Sequence, residues 1–194
     1  MSLKDTAPTA TKIMMIRHAE KPTSAPLQLG VTPDGVQDDH SLIVRGWQRA
    51  GALATLFAPS NGQFQNPALA TPHAIFAASG ETTAKSVRSR QTVGPLTTKL
   101  GSAANTNYAF GVGQEAQVAA AVLASKGVVL ITWEHHNIPI IASLYPTSAN
   151  NKTPMPPAWP DDRFDLVWVF DWDEAGAGYT FSQIPQALLA SDVS

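Results

Sequence analysis

The sequence contains no cysteine among its 194 residues, which excludes disulfides, thiol nucleophiles and cysteine-ligated metals. Charged residues make up only 14%, and the net charge is -2, so we expect no bulk attraction to nucleic acid or to an anionic membrane. No apolar run approaches the roughly 18 residues of a membrane-spanning helix. The first twelve residues lack the apolar stretch of a secretion signal. We therefore expect a cytoplasmic protein, unless an export signal precedes these residues.

Apolar residues account for 44% of the chain and are concentrated in short runs. The runs Lys12–Arg17, His73–Ala78, Gly127–Trp133 and Asp165–Asp171 are continuous rather than alternating. Continuous runs of this length are typical of strands covered on both faces, as in a parallel or mixed sheet between helices. Tyr179–Gln183 alternates instead, which predicts a half-exposed edge strand closing a hairpin with the last of these runs.

Helical patterns fill the intervals between the strands, over residues 43–57, 86–100, 115–125 and 138–144. In the second of these, we expect Gly94-Pro95 to bend or restart the helix. Strands alternating with helices predict an α/β fold in three layers, α/β/α, with a mostly parallel central sheet and the hairpin at its edge. We expect a single domain, 1–194, with two long loops of functional interest, about 22–41 and 145–162. Trp159 in the second loop either packs in the core or closes over a substrate.

Charged and imidazole side chains follow the predicted strands where each strand ends. Arg17, His18 and Lys21 follow the first, and Glu134-His135-His136-Asn137 follows the run at 127–133. The carboxyl ends of parallel strands form the ligand-binding edge of open α/β sheets. The strand at 73–78 leads to a helix start that bears Arg88 and Arg90, of which Arg90 is expected at the surface. A cationic pocket with histidines suits a phosphate ester, because a neutral imidazole can attack phosphorus.

Four ordered blocks resemble the histidine phosphatase (phosphoglycerate mutase-like) superfamily. Arg17-His18-Ala19-Glu20 is similar to its "RHG" signature, and Leu42–Ala50 to its "LTxxGxxQA" helix. Ser86–Leu96 resembles the second-arginine helix, in which an arginine precedes the threonine of a "QTA"-like run by four residues; that spacing selects Arg88. Trp133–Asn137 is similar to the "HGN" element. Alanine replaces glycine at position 19.

The resemblance implies a metal-independent phosphomonoesterase that needs no cofactor and works through phosphohistidine on His18. By the same resemblance Arg17, Arg88 and His135 hold the phosphoryl oxygens. Lys21 stands where some members place another phosphate-binding arginine. The expected partner is a small phosphorylated metabolite or another phosphomonoester, and the oligomeric state stays open.

The proton donor to the leaving group is less defined by these residues. Glu115 lies in the interval after Arg88 where mutase-like members carry a catalytic glutamate, and it is our candidate donor; Glu81 and Glu134 are rivals.

Isoleucine at position 43 replaces the usual threonine and removes a helix-capping hydroxyl. The mutase pattern continues from "RHG" with Glu-Ser, whereas this chain reads Glu20-Lys21-Pro22, which favours a phosphatase over a mutase.

Three alternatives remain open at this point. The first is a phosphoglycerate mutase-type phosphotransferase, and the second is a non-catalytic phospholigand binder without a proton donor. The third is a metal-dependent hydrolase using Glu134, His135, His136 and an aspartate from 38–39. We expect adjacent histidines at a strand end to point to opposite sides, which weakens joint metal ligation.

Overall fold

The computed structural model describes residues 8–80 and 86–193. In chain order the strands and helices are β1 (Ala10–Arg17), β2 (Thr23–Ser24), β3 (Leu27–Gln28), α1 (Val44–Phe57), β4 (Ala74–Ala77), α2 (Arg88–Leu100), β5 (Asn105–Asn107), α3 (Glu115–Leu123), β6 (Gly127–Trp133), α4 (Ile138–Ala142), β7 (Leu166–Asp173) and β8 (Gly178–Pro185). From α1 to β7 helices and strands alternate along these residues, and one short 3₁₀ turn at Gly101–Ala103 follows α2. Within the described ranges, no helix is long and apolar enough to cross a membrane.

The central sheet has six strands in the order β5-β4-β6-β1-β7-β8. Strands β5, β4, β6 and β1 are mutually parallel, whereas β7 runs antiparallel to β1 and forms a hairpin with β8. This arrangement confirms the predicted mostly parallel sheet with the hairpin at its edge. The small β2–β3 hairpin lies apart from the sheet, inside the first long loop.

Alternate side chains of β1 enter two separate cores, one on each face of the sheet. Ile13 and Met15 pack in a cluster with residues of α3 and α4. Met14 and Ile16 pack on the opposite face, with residues of α1 and α2. A strand buried on both faces needs apolar residues at every position, which explains its continuous run. The three-layer prediction is therefore confirmed.

Helix α2 continues through Pro95 as one element, so the expected restart at Gly94-Pro95 does not occur. A proline ring clashes with the Cβ of the residue before it when that residue is helical. Gly94 has no Cβ, which removes this part of the conflict. Of the two expected outcomes, a bend or a restart, the structure therefore contradicts the restart.

Gly46 lets helix α1 approach the loop that follows β1. A Cβ at this position would lie 2.6 Å from the backbone oxygen of Glu20, closer than real Cβ contacts allow. The backbone N–H of Ile43 donates to the same Glu20 oxygen at 3.1 Å. Ile43 precedes the helix without a side-chain cap, as expected from the missing threonine hydroxyl. The glycine in this helix therefore serves close packing beside His18.

The edge strand β5, the 3₁₀ turn and the β2–β3 hairpin were not predicted. Their residues are mainly polar or small, and β5 pairs within the sheet with β4. An exposed strand of three residues offers no apolar periodicity to detect.

The two loops named in advance remain long: residues 143–165 pass from α4 to β7 without a helix or a strand of the sheet.

Candidate active site

The parallel pairing of β1 with β6 brings two histidine-bearing loops to one edge of the sheet. Arg17 is in register with Trp133, and the backbone N–H of His18 donates to the Trp133 oxygen at 3.0 Å. The residues that follow each strand, His18 and Glu134-His135, therefore emerge side by side. This is the geometry expected from the carboxyl ends of parallel strands.

The tautomer of His18 is set by its own loop. Its Nδ1 lies 2.8 Å from the backbone oxygen of Ala19. Because a carbonyl only accepts hydrogen bonds, Nδ1 carries the proton and Nε2 keeps the lone pair. Thr92 holds this loop in place, since its hydroxyl accepts from the Ala19 N–H and donates to the Arg88 oxygen, each at 2.8 Å. Nε2 of this imidazole therefore carries a lone pair that is available to a ligand.

His18 is neutral over a wide pH range. Burial, together with the nearby positive charges of Arg17, Arg88 and Lys21, lowers its pKa to about 3, against the Ala19 hydrogen bond that raises it. The side chain is only 6% exposed. The structure therefore brings three of the cations named in the sequence analysis close enough to act on this imidazole. A neutral ring beside three cations can attack an anionic electrophile.

This shifted pKa predicts a pH-dependent stability. His18 has an ordinary pKa of 6.5 and one of about 3 when folded, so below pH 6.5 the unfolded chain binds a proton that the folded chain does not. The contribution of His18 to the free energy of unfolding is therefore retained above pH 6.5 and is lost progressively as the pH falls toward 3. From pH 7 to pH 5 we expect His18 to account for a loss of about 2 kcal/mol of unfolding free energy.

Urea unfolding of the wild type and of His18→Asn at both pH values measures this loss. The variant retains every other titrating group and should lose about 2 kcal/mol less than the wild type over the same interval. Equal losses in the two proteins would show that the imidazole is not held neutral by the fold.

Arg17 is covered by the second long loop. Its Nη1 donates to the backbone oxygens of Asp161 at 2.5 Å and Arg163 at 3.4 Å, and the Phe164 ring centroid lies 3.8 Å from its guanidinium carbon. Burial lowers the pKa of Arg17 to about 10, against nearby carboxylates, so the group stays positive at neutral pH. The buried Nε–H makes no hydrogen bond within the described residues and is free to donate to an anion.

Arg88 is the first residue of α2 and connects that helix to the loop before α1. Its Nε donates to the Ser41 oxygen at 3.2 Å, and its Nη2 contacts the Asp39 oxygen. Burial lowers its pKa, and the carboxylates of Asp38 and Asp39 oppose that shift. Gln91, one turn on, bonds to the Leu42 N–H and the Ser41 hydroxyl. Arg90, by contrast, is exposed and lies over the Tyr108 ring, as expected.

His135 is buried between two carboxylates. Its Nε2 lies 3.1 Å from Oδ1 of Asp161, and its Nδ1 lies 2.6 Å from Oε1 of Glu134 without the alignment of a hydrogen bond. Burial and the charge of Arg17 lower its pKa, while the two carboxylates raise it. The charge of Arg17 therefore acts on both pocket histidines.

Glu115, the candidate donor, is the first residue of α3. Its carboxylate accepts from the Asn137 side chain at 2.7 Å and from the Gly113 N–H at 3.0 Å. Among the described residues, no contact joins it to His18, Arg17 or Arg88. Its rival Glu81 lies outside the described residues, and Glu134 contacts His135. Glu115 is connected through Asn137 to the turn that bears His135, and its role as proton donor stays a prediction.

The fold was compared with known proteins. Scans against protein-family models and against curated proteins found no match. A search of solved structures found the protein histidine phosphatase SixA, determined in complex with tungstate, at 14% identity and a TM-score of 0.52. The similarity covers 90% of this chain and 97% of the other. This chain has the histidine phosphatase fold. The resemblance stated from the sequence is thus confirmed at the level of fold.

One residue of this histidine phosphatase fold was missed by the sequence analysis. Asp161 contacts His135 through its side chain and Arg17 through its backbone oxygen. It lies 26 residues after His135, in a proline-rich loop without periodicity. The only sequence signal was the acidic pair Asp161-Asp162 near the end of a loop already considered functional.

The expected divergence of the two adjacent histidines is wrong. The ring centroids of His135 and His136 are 3.9 Å apart, and one ligand atom from each, with one from Glu134, lie within 4.8 Å of one another. Strand β6 ends at Trp133, and the residues after it form a turn, so the alternation of a strand does not apply. These three side chains could hold a divalent cation; neither Asp38 nor Asp39 joins them.

Trp159 packs in the core rather than closing over the site. The side chain is 3% exposed, and its ring centroid lies 5.1 Å from that of Trp168 on β7. Its indole N–H donates to the Arg163 oxygen at 2.8 Å. Of the two roles considered, the structure therefore supports the packing role, in which Trp159 anchors the second long loop.

Proposed function

We propose that this protein is a metal-independent phosphomonoesterase in which His18 carries the phosphoryl group. Nε2 of His18 attacks phosphorus, the P–O ester bond breaks, and the alcohol leaves with a proton. Water then attacks the phosphohistidine, the P–N bond breaks, and inorganic phosphate leaves. His18 returns to its neutral form for the next turnover.

The observation that carries the proposal is the state of His18. Its proton is held on Nδ1 by the Ala19 carbonyl, and its pKa is far below neutral because of burial and three neighbouring cations. An ordinary surface histidine has neither property. A nucleophile needs its lone pair directed toward the electrophile at working pH, and this arrangement keeps it available.

The surrounding donors suit the oxygens of a phosphoryl group. The free Nε–H of Arg17, the guanidinium of Arg88 and the Nε2 of His135 would hold them, with Lys21 as a further positive charge. Donors that are already positioned stabilise the charge of an in-line transfer without further reorganisation. Because side chains supply this charge, the reaction needs no metal ion.

A mutase-type reaction is less favoured. The carboxylate of Glu20, two residues after His18, is already paired with Arg49 and Arg45. The sequence after it also departs from the mutase pattern. We therefore retain hydrolysis as the proposed reaction.

Two substrate classes fit this site. A small phosphorylated metabolite is the first, as expected from the residues. SixA is described as a protein histidine phosphatase, so a phosphohistidine side chain on a protein is the second. In either class the same phosphorus would be attacked by Nε2, and a P–O or a P–N bond would break.

The test is to trap the intermediate on the wild-type protein. Incubation with ³²P-labelled phosphomonoester followed by alkaline denaturation should leave acid-labile, alkali-stable label on a peptide that contains His18. The same yield is expected in the presence of a chelator. A panel of phosphorylated metabolites and a phosphohistidine peptide then separates the two substrate classes by kcat/KM.

A metal-dependent hydrolase is the second candidate, because Glu134, His135 and His136 offer three convergent ligand atoms. Under this alternative, chelation abolishes turnover, Zn²⁺ restores it, and no label is trapped on His18. Stabilisation by vanadate with no turnover of any substrate would instead indicate a phospholigand binder.

A further inference from the structure

The end of the second long loop is anchored directly over the candidate active site. The buried Trp159 packs against Trp168 and donates to the Arg163 oxygen, and the guanidinium of Arg163 pairs with the Asp165 carboxylate at 2.6 Å. Phe164 lies on Arg17, and its ring centroid is 6.2 Å from that of His18. The residue between these anchors, Asp161, is thereby held beside His135 and Arg17.

Asp161 combines contact with the pocket and exposure to solvent. Its Oδ1 lies 3.1 Å from His135 Nε2, the atom proposed to hold a phosphoryl oxygen, while 82% of its side chain is exposed. Its backbone oxygen accepts from Arg17. A carboxyl group that contacts solvent on one side and a candidate phosphate-binding histidine on the other is suited to proton transfer.

The other carboxylates considered near this edge already have partners. Glu20 is bound by Arg49 and Arg45, and Glu115 by Asn137 and the Gly113 N–H. Asp38 accepts from the Ser41 hydroxyl and the His40 N–H. Glu134 lies against Nδ1 of His135, on the ring edge away from Asp161, and accepts from the His136 N–H. Among the described residues, Asp161 is the carboxylate that contacts Nε2 of His135.

We propose that Asp161 is the proton donor to the leaving group. This inference rests on the proposed function. As Nε2 of His18 forms its bond to phosphorus and the P–O bond breaks, the carboxyl of Asp161 gives its proton to the leaving oxygen and becomes a carboxylate. In the second half-reaction the carboxylate takes a proton from the attacking water, which regenerates the carboxyl as phosphate leaves.

The Asp161 side chain lies where a phosphoryl oxygen would bind. Its Oδ1 is 3.1 Å from Nε2 of His135, the atom proposed to hold that oxygen. A phosphoryl group that binds there displaces the Asp161 side chain, whose 82% exposure leaves it free to move beside the transferred group.

The experiment compares Asp161→Asn with Asp162→Asn, a variant that removes the same charge one residue away. Asp162 is also exposed, and its side chain makes no hydrogen bond within the described residues. Each protein is assayed with p-nitrophenyl phosphate, whose leaving group departs without a proton, and with an alkyl phosphate, whose leaving group needs one. Asp161→Asn preserves the backbone oxygen that Arg17 uses.

For Asp161→Asn we expect kcat/KM on the alkyl phosphate to fall by about 10²- to 10⁴-fold. On p-nitrophenyl phosphate the first half-reaction should remain near the wild-type rate. A burst of p-nitrophenol followed by slow turnover, with phosphohistidine accumulating, is expected because the second half-reaction lacks its base. Asp162→Asn should match the wild type on both substrates, and Asp161→Glu should recover part of the lost rate.

Two outcomes would overturn the inference while leaving the proposed function intact. One is unchanged or faster alkyl phosphate turnover in Asp161→Asn with tighter vanadate binding, which would mean that Asp161 only fills the anion site. The other is an equal loss in both asparagine variants, which would indicate a general charge effect. Failure of the proposed function is separate, because then the wild type itself would trap no phosphate on His18.

Discussion

Replacing His18 with asparagine should lower kcat/KM on phosphomonoesters by about 10⁴-fold or more, a loss of at least about 5 kcal/mol of transition-state stabilisation. Asparagine retains a donor for the Ala19 carbonyl but has no nucleophilic nitrogen, because the lone pair of its amide nitrogen is delocalised. Arg17 and Arg88 remain in the variant, so substrate binding should persist. Steady-state kinetics with vanadate binding as a second readout measures both properties.

His136→Asn is the matched control for this experiment. His136 lies next to the pocket histidine, its side chain is 70% exposed, and it has no role in the proposed reaction. We expect its activity to stay within a few-fold of the wild type. The reverse pattern, with activity lost in His136→Asn and retained in His18→Asn, would exclude the phosphohistidine route and favour the metal-dependent alternative.

Arg49→Met should destabilise the protein by about 3–5 kcal/mol. The guanidinium of Arg49 is buried and donates to Glu20 at 2.8 Å, to Asp192 at 2.7 Å and to Gln186 at 3.0 Å. Burial would raise the pKa of Asp192, but hydrogen bonds from Arg49 and two backbone N–H groups lower it to about 2. Without Arg49, two carboxylates are left with much less compensating charge. The free energy of unfolding in urea measures this effect.

Arg45→Met is the control, because Arg45 contacts the same two carboxylates from the solvent side. Its side chain is 36% exposed, and its guanidinium lies 3.2 Å from Glu20 and 3.6 Å from Asp192. Exposed pairs contribute little, so we expect a cost below about 1 kcal/mol. Similar losses in the two variants would show that burial does not set the strength of this network.

The fold could be predicted from apolar patterning because the sheet is covered on both faces. The runs that became β1 and β6 contain apolar residues at consecutive positions, and only a strand between two layers has a use for both sets of side chains. The same reasoning failed for β5, a polar edge strand. The restart expected at Pro95 is also wrong, and Gly94 has no Cβ to clash with the proline ring.

The proximity of His18 to the loop of His135 could also be predicted, because it follows from strand order. Both residues come directly after parallel neighbours, and that relation needs only the positions of strand ends. The orientation of the neighbouring imidazoles could not be predicted. Residues 134–137 leave the strand as a turn, so the two rings lie on the same side. Alternation was therefore the wrong rule at this position.

Residue order and periodicity were sufficient to specify a three-layer fold and the sheet edge at which His18 lies, because both depend on short stretches of chain. The proton position on His18 depends instead on the conformation of its own loop. The coverage of Arg17 and the approach of Asp161 to His135 depend on which carbonyls and carboxylates a distant loop brings into contact. Hydrogen-bond partners and burial determine these properties, and both exist only once the chain has folded.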